Sequence, residues 1–402
     1  MKTMAQPPAQ SPLESARNLP VSLWREHDVR GIFDHPLPSP RVFGASDIWH
    51  FDPTQTLWDI WGVQTDAGDL AHVDGASLWV MLSAPREQDP DARHTCARLR
   101  LLMRRDGAWQ DCGDLLPDGF TPGSREWSGS TRLDPKTNVL TLWFTASGRR
   151  GEQVSSFEQR LFHAQADLIL TGDGPLAENW RDLTQTVVNT GQYYTDVAKT
   201  PGIPGRIKGF RDPYWFRDPA DGQGYILFTG SKPEHQSNSD YDGVIGVARA
   251  TDRDGLAGFK LLPALLDGDG LTNEMERPHV FVRDGLYYLF WSTQKQVFNP
   301  QGVQGPTGLY GMVAPSLFGP YQPLNRTGLV LANPSQEPLQ AYAWQVLPSL
   351  EVVSFVDYWG LKGGDPRADM ALKARQFGGS IAPSSFLELH GATTRIVSTG
   401  PS

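Results

Sequence analysis

The sequence predicts an all-β fold, a five-bladed β-propeller around a central funnel-shaped site, on three observations. Short apolar runs punctuated by Gly, Asp, Pro and Asn fill the chain from about residue 45 onward. Each of five such runs follows, within about 5–20 residues, a polar segment of unusual chemistry. Those segments, marked by Asp59, Ser128, Asp212, Glu276 and Tyr342, are spaced by 69, 84, 64 and 66 residues. A polar segment and then an apolar strand at that interval fits blades with long loops. Inner strands of a propeller converge on the axis, so each blade can present side chains to one funnel. A large β-sandwich with polar loops is the rival arrangement that spacing leaves open.

Residues 1–44 are Pro-rich and polar and read as an arm wrapping the domain, with 45–402 forming a single catalytic unit. The apolar runs are 76–82, 139–145, 224–229, 286–291 and 350–355, rich in β-branched and aromatic residues. Asp106-Gly107 and Asp284-Gly285 are hairpin dipeptides, since both central positions of such a turn need positive φ. Amphipathic helical windows are scarce; residues 174–192 are one of the few places where a short helix fits.

Composition agrees. Of 402 residues 39% are hydrophobic, with 41 Gly, 32 Pro and 13 Trp, which suits short strands, tight turns and an aromatic-lined pocket rather than a helical bundle. The net charge of −9 is dispersed and no basic tract occurs, which excludes nucleic acid as an expected partner. No run approaches the roughly 18–20 apolar residues of a membrane span. The N-terminal residues lack an apolar region behind Lys2, so a secretory leader is not expected; cytoplasmic residence or leaderless export is. Cys96 and Cys112 flank a predicted hairpin without metal-site spacing and are expected as plain thiols, with a disulfide as the alternative.

The chemistry concentrates on carboxylates. Asp59 lies between Trp58 and Trp61, and Asp212 follows Arg211 and precedes Pro213. Glu274 and Glu276 alternate around Met275, which in a strand puts both on one face, an uncomfortable arrangement unless a site needs it. Retaining glycosidases use two carboxyl groups about 5–5.5 Å apart, one as nucleophile and one as proton donor with a raised pKa. Glu276, with Glu274 and two aspartates near it, is suited to the second task. Tryptophans would stack on the sugar, and Arg and Asp would grip its hydroxyls.

These segments resemble glycoside hydrolase family 68, the levansucrases, inulosucrases and bacterial β-fructofuranosidases. The likeness rests on residues 57–61 (nucleophile segment W-D-x-W), 126–130 (E-W-S-G-S), 210–213 (R-D-P) and 273–277 (D-E-x-E-R). Residues 318–325, 328–331 and 382–386 are similar to the family's later segments, so the resemblance spans roughly 45–390 in order. It implies a five-bladed propeller, with Asp59 as nucleophile, Glu276 as acid/base and Asp212 as transition-state stabiliser. It also implies a fructosyl subsite of Trp58, Trp127, Ser128 and Arg211, with Glu274, Arg277 and Tyr342 on the glucosyl side or orienting Glu276. Sucrose and sugar acceptors are the implied partners, and an extracellular or periplasmic location is the family's usual one.

Departures qualify the likeness. Ile60 and Gly62 replace the usual hydroxyl residue and proline of the nucleophile segment. Asn273 stands where calcium-binding members carry an acidic ligand, so no metal or other cofactor is expected. Gln294 and Lys295 stand where polymer-forming relatives carry Arg or His, which moves weight from long levan toward hydrolysis or short oligosaccharides. The expected activity is retaining fructosyl transfer from sucrose. A β-fructofuranosidase that mainly hydrolyses, a sugar-binding propeller without catalysis and another five-bladed glycosidase such as an arabinanase are the alternatives.

Overall fold

The computed structural model describes residues 21–172, 174–203, 206–237 and 239–399. It is mostly β, as predicted, and its strands form five successive antiparallel meanders. The first contains Gln55–Gln64, Ala76–Pro85, Arg98–Arg105 and Ala108–Asp114; the second contains Arg125–Asp134, Val139–Ser147, Gln159–Thr171 and Gly174–Gln185. The third runs Phe210–Arg217, Gly224–Ser231, Gly243–Ala250, Phe259–Asp267. The fourth is Glu276–Arg283, Leu286–Thr293 and Gly308–Ala314 with Gln322–Pro323 and Leu329–Ala332 on its outer edge. The fifth is Ala341–Val346, Glu351–Tyr358, Phe377–Ile381, Ser385–His390 and Thr393–Thr399. The five apolar runs are the second strands, buried on both faces, and both Asp-Gly pairs close hairpins with φ of 49° and 82° at 106–107 and 51° and 75° at 284–285.

The first strands of the meanders touch one another in cyclic order, the fifth against the first. Every one of them carries a β-bulge, a register shift at Trp58/Trp61, Trp127/Gly129, Arg211/Tyr214, Glu276/His279 and Tyr342/Gln345. Four bulges hold a non-glycine residue in the left-handed region: Asp59 at φ 51°, Asp212 at 61°, Arg277 at 51° and Ala343 at 56°. Such a conformation costs on the order of 1–3 kcal/mol per residue. It survives because hydroxyls and an amide on neighbouring meanders accept the N–H groups that the bulges release. Thr145 Oγ1 accepts from Asp212 at 2.9 Å, Thr229 Oγ1 from Arg277 at 3.1 Å and Ser292 Oγ from Trp344 at 3.0 Å. Gln345 Oε1 accepts from Gly62 at 3.0 Å and closes the ring between the fifth and first meanders.

Packing between meanders uses the tryptophans. Trp143 of the second and Trp215 of the third stack at 4.6 Å and 7°, with the Arg132 guanidinium 4.9 Å from the Trp215 ring. Each stacked or cation–π contact of this kind contributes about 0.5–1.5 kcal/mol beyond the area it buries. Residues 21–44 run from the third meander to the fifth. Ser22–Leu23 pairs in parallel with Phe259–Asp267, and Trp24 is buried edge-on to Trp291 at 5.2 Å. Phe43 N–H donates to Gln340 Oε1 at 2.9 Å. The first 20 residues of the predicted arm lie outside the described residues.

One expectation is overturned. Residues 174–192 hold a strand, Gly174–Gln185, instead of a short helix. The free edge of Gln159–Thr171 supplies a partner along most of that length, and ladder pairing overrides the helix preference of Leu, Ala and Glu. Cys96 and Cys112 are free thiols. The register sets Leu102 opposite Asp111 and Arg100 opposite Asp114, so Cys96, which precedes that strand, is not across from Cys112.

The bulge in the second meander explains the glycine of its E-W-S-G-S segment. A Cβ on Gly129 would lie 1.9 Å from the Trp143 carbonyl oxygen and 2.8 Å from Phe144 Cα, both backbone atoms. Gly129→Ala is expected to destabilise the protein by about 3 kcal/mol in chemical denaturation. Gly44→Ala, whose Cβ would meet nothing within 4 Å, should stay within about 0.5 kcal/mol of the parent.

Candidate active site

The bulges turn their side chains into one cavity of about 560 Å³ at the centre of the ring. All ten residues singled out in the sequence line it: Trp58, Asp59, Trp127, Ser128, Arg211, Asp212, Glu274, Glu276, Arg277 and Tyr342. They come from all five meanders. Glu274 reaches the cavity by a different route from the one expected. The strand begins at Glu276, and Glu274 sits in the segment before it, its carbonyl held by the Thr293 hydroxyl at 3.1 Å.

Arg211 organises the acidic groups. Its Nη2 donates to Glu276 Oε1 at 2.6 Å and lies 3.4 Å from Glu274 Oε2, while Nε is 3.6 Å from Asp212 Oδ2. Burial alone would lower the Arg211 pKa, but Glu274, Glu276 and Asp212 together raise it, so the guanidinium stays charged. Tyr342 donates its phenol to Glu276 Oε2. Asp59 Oδ2 accepts from the Ser128 hydroxyl at 2.6 Å, and Arg277 Nη1 stands 4.0 Å from its Oδ1. Asp212 Oδ2 accepts from Thr229 at 2.8 Å.

Burial dominates the carboxyl pKa values. It pushes Asp59 up, opposed by Arg277 and by the Ser128 hydrogen bond. It pushes Asp212 up to about 6 against the pull of Arg211, with Glu276 and Asp59 adding to the rise. Glu274 is raised by burial first and then by Glu276 beside it. Several upward-shifted carboxyls gathered in one cavity are the pattern found at functional sites.

Asn273 is buried, and among the described residues its Oδ1 has no hydrogen-bond partner. Its amide nitrogen donates to the Ile207 carbonyl at 3.0 Å, and the cation nearest the buried Asp242 is the Lys208 ammonium at 2.7 Å. Among the described residues no group of three or more His, Cys, Asp and Glu is arranged to hold a metal. Sequence reasoning missed Arg93, His94 and Asp357, which also line the cavity. Arg93 and His94 sit in a 3₁₀ segment with no motif character. Asp357 stands as a lone charge near the end of an apolar run, which was the one available signal.

Comparison with known proteins agrees with this geometry. The family described as Levansucrase/Invertase, glycoside hydrolase family 68, matches residues 44–243 and 232–399. The chain belongs to that family. A levansucrase of Zymomonas mobilis is 33% identical over 360 residues, 83% of this chain and 80% of that protein. The inulosucrase from Halalkalicoccus jeotgali bound to kestose superposes with a TM-score of 0.86 at 35% identity, covering 94% of this chain and 96% of its own. The Bacillus subtilis levansucrase structure, at 19% identity and TM-score 0.78 over 95% and 97% of the two chains, shares the fold. Among the described residues no helix is long and apolar enough to cross a membrane.

The Ser128 hydroxyl stabilises ionised Asp59, so its loss raises the Asp59 pKa further. In Ser128→Ala the acid limb of the pH profile of kcat/KM, measured as glucose release from sucrose, is expected to move to higher pH. A limb that stays in place means that Asp59 ionisation does not set it.

Proposed function

We propose that this family 68 enzyme is a retaining fructosyltransferase acting on sucrose. The five meanders are then blades of a five-bladed propeller formed by residues 45–402, with 1–44 as its arm. The reading is supported above all by the convergence of Asp59, Asp212 and Glu276, from three separate meanders, on one cavity around Arg211.

In the first step an Asp59 oxygen attacks the anomeric carbon of the fructosyl unit. The glycosidic bond breaks, its electron pair goes to the leaving oxygen, and Glu276 protonates that oxygen so that glucose departs. Glu276, aimed by Arg211 and Tyr342, then takes a proton from water or from a sugar hydroxyl, which attacks the same carbon and frees Asp59. Asp212, fixed by Thr229, accepts from fructosyl hydroxyls, and Trp58 and Trp127 wall the ring off from solvent. The partition between water and sugar depends on how well an acceptor is positioned. Short fructo-oligosaccharides, levan or inulin are the products of transfer.

A mainly hydrolytic β-fructofuranosidase is the second reading. It is favoured by Gln294, a neutral side chain in the cavity wall where polymer-forming relatives carry Arg or His.

Incubation with sucrose distinguishes them. Glucose in excess of fructose means transfer, equal amounts mean hydrolysis, and release of neither ends the proposal. Asp59→Ala should lower release of both sugars by at least about 10³-fold. Glu276→Gln should cripple cleavage of sucrose yet spare a fructoside whose leaving group needs no proton. Equal losses on both substrates would remove Glu276 from the acid role.

A further inference from the structure

His94 lines the central cavity, and the mechanism above gives it no task. It belongs to the 3₁₀ segment Pro90–Thr95 and touches both tryptophans expected around the fructosyl unit. Its ring lies edge-on to Trp58 at 5.9 Å, and its carbonyl accepts from the Trp127 indole N–H at 3.3 Å. Trp58 precedes Asp59, and Trp127 precedes Ser128, whose hydroxyl bonds Asp59 at 2.6 Å. Both neighbours of His94 therefore belong to the end of the cavity that holds the nucleophile, where the unit transferred to Asp59 must lie.

The segment that carries His94 is tied down on both sides. Arg93 Nη1 donates to the Pro90 carbonyl at 2.7 Å, and Lys373 Nζ bonds Asp89 at 2.7 Å and Asp91 at 2.6 Å. A binding group held in place before the ligand arrives spends less of its interaction on being ordered.

The imidazole itself is accessible but poorly hydrated. His94 is exposed, yet burial is the first cause holding its pKa well below the usual histidine value, followed by the positive charges of Arg93, Arg125, Arg211 and Lys373. Accessible area on a ring that protein surrounds so closely opens onto the cavity rather than onto the outer surface. The ring is neutral, with one N–H donor and one bare nitrogen acceptor. Among the described residues neither nitrogen has a hydrogen-bond partner, so both are free for a ligand. A sugar hydroxyl, which donates and accepts, matches either of them.

We propose that His94 hydrogen-bonds a hydroxyl of the fructosyl unit and is a substrate-binding residue that selects for it. This deepens the fructosyltransferase reading above and rests on it.

Two variants separate hydrogen bonding from packing. His94→Phe keeps an aromatic ring against Trp58 but has neither donor nor acceptor, whereas His94→Gln keeps both. In His94→Phe, kcat/KM for glucose release from sucrose is expected to fall about tenfold, the scale of one or two lost hydrogen bonds, and His94→Gln should recover part of the loss. An aryl β-fructofuranoside, which shares only the fructosyl unit with sucrose, should lose as much. If His94→Phe does not fold in a thermal melt, His94→Ala is read in its place with the same expectations. A folded variant that cleaves sucrose like the parent overturns the inference. So does a loss confined to sucrose, which would put the contact on the glucosyl side. Absence of any glucose release by the parent would instead remove the fructosyltransferase reading itself.

Discussion

Asp59, Asp212, Glu274 and Glu276 crowd one largely buried cavity, repel one another and lose hydration, and the guanidinium groups of Arg211 and Arg277 make that arrangement tenable. Arg211 faces Asp212, Glu274 and Glu276, and Arg277 faces Asp59. The compensation is incomplete, since Asp59, Asp212 and Glu274 all remain shifted upward by burial. The residual imbalance is a cost to the fold of the kind that collects at functional sites.

Arg277 links that electrostatic arrangement to the architecture. Its Nη1 donates to Ala343 O at 2.8 Å and its Nη2 to Ile60 O at 2.6 Å, so one side chain from the fourth meander grips the bulges of the fifth and the first. The bulges explain how inner strands, whose side chains would otherwise alternate between faces, aim consecutive functional groups at one point. Each extra residue frees backbone groups that the ladder no longer satisfies. The Ser and Thr positions on second strands, unremarkable in sequence, accept those groups and lock each meander to the next.

Much of this was legible in the chain. The five apolar runs, the two Asp-Gly hairpins and the recurring polar segments correspond to observed elements because strand periodicity and turn chemistry are local properties. The alternation argument for Glu274 and Glu276 named the right residues on an incomplete ground. Both reach the cavity, but Glu274 arrives from a loop, which no count of alternate positions detects. The strand at Gly174–Gln185 was misread because its pairing partner, rather than its own propensity, decides its state. Arg93 and Asp357 escaped notice because their chemistry arises from a neighbour 264 positions away.

The sequence by itself determined the mostly β class, the family and ten of the residues that line the cavity, since these depend on residue type and on order along the chain. Only the tertiary structure decided which groups share a guanidinium, which carboxyls burial raises and which hydroxyls satisfy the bulged backbone. Those outcomes depend on distances of a few ångströms between segments far apart in the chain. Coulombic and hydrogen-bond energies change steeply over such distances, and no linear pattern encodes them.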